Sequence, residues 1–556
     1  MVTSRTVQRG GPAGPAVLRR PAAAAPPPRG RRLAVQGLVA LGLTVLALAI
    51  RDPRYLLTRS FWLDEGWVVD SVRAPLHQLK LLTSSTPIGW TLLLRLVPPV
   101  GGPERYRLLP LAFAALTALA AWRLGSLLGR GSGGLEPSPP ENRDRWSWLY
   151  GLCCGVAGAA SAAVLHHTWL KQYTAEAFVA VALALLLARV ERSWSWRSLA
   201  AYAGAGIAGF LVSNTAPLVS AAGMGGLWLV TLVARRWSRL PALAATTVVL
   251  GLADAVIYQA LASNGGTLAL RRYWRLRYLS LDDGVGNAAH LVWQRLAAEL
   301  GGLGWGPWWL ALALIGVGLA TLWRAGLPAL ALAVPAVGAE LVILGFAGAY
   351  PFLEPRTAIF YAALLTVTAA AGLATLARLG LGRRAAAPLA VAGLLVVAVL
   401  LVPGWVRAGR GDIPGEDVKA QVADVLARGR PGDPVVVTFG ATFSFAYYWP
   451  DRPTFVPTTV NAAVSFMPTF PGRPELVLIH QPRSARAAVE GLDRGLRLGQ
   501  GRVWVVTGSP AELAALRRRA EGVRFVVRPG KATVAVAAGA GRYHRSAGAE
   551  GGGRER

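Results

Sequence analysis

The chain has 556 residues, of which 53% are hydrophobic and only 16% charged, against about 25% charged in soluble proteins. That excludes a soluble globular protein and predicts a polytopic α-helical membrane protein. The net charge of +29 does not point to nucleic acid, because the arginines sit in short clusters between apolar runs, as the positive-inside rule requires.

Residues 1–32, rich in Pro, Ala, Gly and Arg, read as a disordered basic cytoplasmic tail. The run 33–50 lacks an Ala-x-Ala exit and reads as a retained anchor. An external loop, 51–106, follows it and contains Phe61-Trp-Leu-Asp-Glu-Gly66. Asp64 and Glu65 then emerge beyond the membrane, between Trp62 and Trp67, where a carboxylate can take a proton with water partly excluded. The doublet alone reads equally well as an interfacial loop with solvated acids. The run 88–97 is too short to cross, at about 15 Å as a helix, and reads as an amphipathic helix in the outer interface.

Ten further spans are expected at 107–128, 148–166, 175–191, 198–213, 216–234, 241–261, 307–323, 328–348, 358–377 and 387–405, about eleven in all. The adjacent Cys153 and Cys154 have no metal-ligand spacing and read as helix-packing residues. This layout sends the arginine-bearing loops 129–147, 188–198, 235–240, 324–327 and 378–386 to the cytoplasm. It leaves 51–106, 262–306 and the turns at His166–Glu176, Asn214 and Tyr350–Arg356 outside. The expected location is the plasma membrane, with the N-terminus cytoplasmic and the C-terminal region extracytoplasmic.

On that outer side, Lys171, Tyr173 and Glu176 crowd a helix start that also favours an anion; the plainer reading is an interfacial belt. His166 and His167 diverge by about 100° on a helix and read as structural. Arg271, Arg272, Arg275 and Arg277, interleaved with aromatics, suit a lipid phosphate or simple anchoring to acidic lipids. Arg356 is a second phosphate candidate, or an ion-pair partner of Glu354. Asp254 and Glu340 lie inside spans, where a charge costs about 2.5–3.5 kcal/mol; structural satisfaction is the expectation, proton coupling the transporter alternative.

From about 406 the composition changes. Short β-branched runs at 435–439, 476–479, 503–506 and 523–527 alternate with helical patterns at 484–498 and 510–520. Residues 406–540 therefore predict a small extracytoplasmic α/β domain with a partly parallel sheet, whose place suggests acceptor selection. Residues 541–556 read as a disordered tail.

Taken in order, these motifs resemble the GT-C superfamily of membrane glycosyltransferases, most closely the group containing protein O-mannosyltransferases and the lipid A aminoarabinose transferase. The matching segments are Trp62-Leu-Asp64-Glu65, Ser85-Thr-Pro-Ile-Gly-Trp-Thr-Leu-Leu-Leu94, Glu104-Arg-Tyr-Arg-Leu-Leu-Pro110, Lys171-Gln-Tyr-Thr-Ala-Glu176 and Arg356 before a late span. The likeness covers roughly residues 33–380. Many members have Pro-Pro where Thr86-Pro87 stands and an extra Glu where Trp169 falls, so no carboxylate role carries over to that point.

The resemblance implies an inverting glycosyltransferase of the cell envelope, hexosyl- or pentosyl-, that uses a polyprenyl-phosphate-linked sugar. The acceptor would be a glycan, a lipid or a protein. It casts Asp64 and Glu65 as catalytic, and Lys171, Arg356, Arg271, Arg272, Arg275 and Arg277 as holding the donor phosphate. Tyr173 and Glu176 would bind substrate. This reading names no definite cofactor and leaves a divalent cation open, although no metal motif indicates one. The alternative is a transporter or flippase of a lipid-linked or polyanionic solute, although the internal repeats common in that class are not evident.

Overall fold

The computed structural model describes residues 29–83, 86–98, 102–131, 140–167, 169–262, 271, 273–381, 417–458, 466–481, 484–528 and 531–538. Residues 1–28 of the expected N-terminal tail, the expected C-terminal tail, the expected span 387–405 and Arg272 lie outside the described residues, whereas residues 29–32, expected as tail, are the start of a helix. The chain divides into two units, 1–42 and 43–556. The described part of the first is the start of helix α1 (Arg29–Ala49).

In the second unit, α2 (Leu63–Arg73) and α3 (Ile88–Arg95) precede the long helices. These are α4 (Leu108–Gly131), α5 (Pro140–Ala160), α6 (Tyr173–Arg192), α7 (Trp196–Val212), α8 (Ala216–Val233) and α9 (Leu240–Ile257). After α10 (Val285–Gly302) come α11 (Trp308–Arg324), α12 (Pro328–Phe346) and α13 (Ile359–Leu381). Seven helical stretches among the described residues are long and apolar enough to cross a bilayer. The chain is a polytopic helical membrane protein; the spans expected up to residue 377 fall on helical segments, but 33–50, 198–213 and 307–323 are not among the seven, and 148–166 is broken at Ser161.

Local chemistry fixes the helix starts. Pro217, Pro241 and Pro328 sit in first turns, where a missing N–H costs nothing. The Glu191 carboxylate accepts the Ala329 and Leu330 N–H groups at 2.7 and 3.1 Å, capping α12. Between helices, small residues allow close approach. A Cβ at Gly318 or Gly372 would overlap the carbonyl oxygens of Thr368 and Leu314, so α11 and α13 touch backbone to backbone. The segment 88–97 does not span. It forms the eight-residue α3, with Trp90 and Leu94 buried.

The C-terminal domain comprises α14 (Val418–Arg428), β1 (Val435–Val437), α15 (Thr442–Tyr448), β2 (Thr454–Pro457), β3 (Phe466–Thr469) and β4 (Leu476–Leu478), then α16 (Ala485–Leu498), β5 (Arg502–Val506), α17 (Pro510–Arg519), β6 (Val523–Val526) and β7 (Thr533–Ala537). The main sheet has the order β4-β1-β5-β7-β6. Its β4, β1 and β5 are parallel, while β7 runs antiparallel to both neighbours. Alternation along β1 builds two layers. Val435 and Val437 join Val422 and Phe445 in one core, whereas Val436 joins Leu492 and Leu516 in the other. The partly parallel α/β architecture matches the expectation; β2, β3 and β7 were not anticipated.

Candidate active site

The first turn of α2 carries both acids, where free backbone N–H groups favour negative charge. The two side chains leave the helix in different directions. Glu65 is fully buried. Its Oε1 accepts from Arg107 Nε at 3.0 Å, Arg59 Nη2 at 3.2 Å and the Leu170 N–H at 3.0 Å, and its Oε2 accepts from Arg107 Nη2. Burial alone would raise its pKa, but Arg107 and Arg59, with the hydrogen bonds, outweigh burial and hold the carboxyl below its ordinary value. Arg107 also donates to the carbonyls of Leu56, Arg59 and Ser60 at 2.6, 2.7 and 2.9 Å. The pair thus ties together the loop before α2, the start of α4 and the Leu170 turn.

That arrangement corrects one expectation. Glu65 does not line the cavity that Asp64 faces. Its lone pairs are committed to two arginines and the N–H groups of Leu170 and Trp62, so the structure places it as a fastener away from the cavity.

Asp64 opens onto a cavity of about 380 Å³. Its Oδ2 lies 3.4 Å from Lys171 Nζ and 3.9 Å from an Arg356 nitrogen, Nη1. Lys171 also sits over the Trp67 ring, 4.3 Å from its centroid. Two bonds place the turn that carries this lysine: Leu170 donates its N–H to Glu65, and its carbonyl accepts from Trp90 Nε1 at 2.9 Å. Burial pushes the Lys171 ammonium below its ordinary pKa, with Arg356 adding to the effect and Asp64 opposing it. Arg356 lies 3.6 Å from Glu354 Oε1 through Nε, donates to the Tyr273 hydroxyl at 3.5 Å and faces the Trp274 ring at 5.4 Å. Burial lowers its pKa, but Tyr173, Tyr273 and Asp64 outweigh that and the guanidinium stays charged.

Tyr173 and Glu176, from the first turn of α6, also line the cavity, together with Asn214 and Tyr350. Lys171, Tyr173, Glu176, Arg271 and Arg356 are therefore brought to Asp64 as expected. Arg275 and Arg277 are not among the lining residues. Arg277 turns to Glu354, with Nε 3.1 Å from Oε2, so neither Arg275 nor Arg277 is brought to Asp64 with the other candidates.

His167 behaves as a structural histidine, its Nδ1 2.8 Å from the Ala163 carbonyl. Asp254 and Glu340 do not line this cavity, and Asp254 Oδ1 and Glu340 Oε2 are buried without a hydrogen-bond partner, contrary to the expected satisfaction. Sequence reasoning missed Arg107 as the partner of Glu65. The only signal was its place in Glu104-Arg-Tyr-Arg107, an arginine pattern at a span start.

No protein-family model matches this chain, and no curated protein matches it. Among solved structures, ArnT from Cupriavidus metallidurans in the apo state is similar over 92% of this chain and 99% of its own, with 16% identity and a TM-score of 0.48. ArnT from the same organism bound to undecaprenyl phosphate is similar over 91% of this chain and 98% of its own, with 16% identity and a TM-score of 0.46.

Proposed function

We propose that this protein is an integral membrane glycosyltransferase of the GT-C kind, moving a sugar from a polyprenyl-phosphate donor to an acceptor at the outer membrane face. One observation carries the reading: Asp64 meets Lys171 and Arg356 at a single cavity, although the three come from segments far apart in the sequence. A base beside a pair of cations suits displacement of a phosphate leaving group. The lining residues lie in the loops and span ends that the arginine distribution assigns to one side.

In this mechanism Asp64 takes the proton of the acceptor hydroxyl or amine as its lone pair attacks the anomeric carbon. The bond from that carbon to the phosphate oxygen breaks, and the electron pair departs on the polyprenyl phosphate. One in-line displacement inverts the anomeric configuration. The leaving group needs charge stabilisation and no proton, which Lys171 and Arg356 supply, with Arg271 at the rim. A phosphate between Lys171 and Arg356 takes over the cations that now neutralise Asp64, so donor binding frees the base for the acceptor.

The test is transfer of label from polyprenyl-phosphate sugars to a new product by the purified protein in nanodiscs. Transfer by the unaltered protein and its loss in Asp64→Asn is the expected result. Full transfer by Asp64→Asn removes Asp64 from the mechanism.

A further inference from the structure

Among the described residues, those lining the cavity run from Asp64 to Thr357, and none belongs to the C-terminal α/β domain. That domain nevertheless grips the opposite side of α2 at three points. In the middle, Gly66 leaves no room for a side chain. A Cβ there would lie 2.5 Å from the Ser444 backbone nitrogen and 2.9 Å from the Phe443 carbonyl carbon, so α2 and α15 meet backbone to backbone.

Before the N-terminus of α2, the Phe61 N–H donates to the Tyr448 hydroxyl at 3.0 Å, and that hydroxyl donates to Glu104 Oε1 at 3.0 Å. Burial pushes the phenol pKa up, so the proton it donates stays in place. Lys419 donates through Nζ to the same carboxylate oxygen at 2.7 Å, and its N–H donates to Ser60 Oγ at 3.1 Å. The Phe61 ring meets Tyr447 edge-on and stacks with Tyr448. At the C-terminal end, Arg73 Nη1 donates to the Tyr447 carbonyl at 2.9 Å, with its guanidinium 3.5 Å from that ring's centroid.

Resting on the reading of Asp64 as the base, we propose that the C-terminal domain is a positioning element for Asp64, with Tyr448 and the Gly66 contact as the positioning groups. Arg107, just before α4, holds the first turn of α2 through Glu65, and α15 holds α2 through Gly66 and Phe61. The carboxylate of Asp64, one residue before Glu65 and two before Gly66, is located by both grips. A misplacement of about 1 Å at a reacting group costs on the order of 10²-fold in rate. A domain set apart from the cavity lining can therefore govern turnover.

The experiment compares full-length Tyr448→Phe, Gly66→Ala and Asp64→Asn proteins in nanodiscs. The donor is whichever sugar the unaltered protein transfers from a panel of radiolabelled undecaprenyl-phosphate pentoses and hexoses. Donor-site occupancy is measured separately with undecaprenyl phosphate. Tyr448→Phe and Gly66→Ala are each expected to lower kcat about tenfold or more, while donor KM and undecaprenyl phosphate binding stay within about twofold. Tyr448→Phe keeps the ring packing, and its thermal unfolding reports whether the fold survives, so the test does not depend on Gly66→Ala folding. Unchanged kcat in Tyr448→Phe and Gly66→Ala beside an inactive Asp64→Asn overturns the positioning role alone. A raised acceptor KM at unchanged kcat overturns it in favour of acceptor recognition by this domain. Activity in Asp64→Asn removes the site reading and the inference together.

Discussion

The buried side of the first turn of α2 and its cavity side carry the same chemical group to different ends. Glu65 is enclosed by two arginines and two backbone amides with no exposed surface, whereas Asp64 keeps 19% of its side chain exposed and shares two cations with open space. A carboxylate whose lone pairs are all engaged by fixed donors stabilises a fold and is a poor proton acceptor. One whose neighbours can be drawn away by an incoming phosphate is poised for exchange. The difference arises from helix geometry, since adjacent side chains diverge by about 100°.

Asp64→Asn breaks the comparison most strongly. Loss of the base is expected to lower kcat by about 10³-fold or more, within the range of general-base contributions, with little change in thermal unfolding. Steady-state transfer and a melting curve on the same preparation check both halves. Glu65→Gln should do the reverse. Leaving Arg107 buried against a neutral amide is expected to destabilise the protein by about 3–5 kcal/mol, read by denaturant or thermal unfolding. The pH dependence has a definite sign. Because the Glu65 carboxyl is held below its ordinary value, its stabilisation is present above that value and is lost as pH falls through the folded one. Glu65→Gln should therefore flatten the acid side of the stability profile.

The contrast between the two acids was only half legible in the sequence. Asp64, Lys171, Tyr173, Glu176 and Arg356 each lie in a turn between apolar runs, and the arginine bias of the other loops assigns those turns to one side. The fate of Glu65 was not legible, because its partner Arg107 lies 42 positions away and nothing local pairs them. Rotation along 271–278 likewise separates Arg271 at the cavity from Arg277 on Glu354. The grip of Tyr448 on Phe61 spans 387 positions, a tertiary contact that no periodicity encodes. Strands β2 and β3, four residues each, interrupt too little chain to give an alternation signal.

Substitutions among the cations sharpen the cavity side. Lys171→Met removes one of the two charges facing Asp64 and should raise donor KM roughly 10- to 100-fold, about 1.4–2.7 kcal/mol of charge-assisted binding. Glu354→Gln should act more weakly. Glu354 Oε1 lies 3.6 Å from Arg356 Nε, so this change releases Arg356 without removing its charge. An increase in donor KM of a few fold is expected, against none for a residue outside the network. Titration of undecaprenyl phosphate into each variant measures both.

The smallest expected effect is the most diagnostic, because it separates binding from folding by sign. Burial holds the Lys171 ammonium below the ordinary lysine value, which is about 10.4. Donor affinity should therefore begin to fall as pH rises through the folded value, earlier than an exposed lysine would allow. Stability moves the other way over the same window. The unfolded chain binds the Lys171 proton more readily than the folded one, so this group's contribution to stability rises with pH there. Lys171→Arg, whose charge persists to higher pH, should shift the binding limb upward, provided the guanidinium fits over Trp67. Donor affinity that weakens only in step with unfolding would place Lys171 among the structural groups, on the same side of the comparison as Glu65.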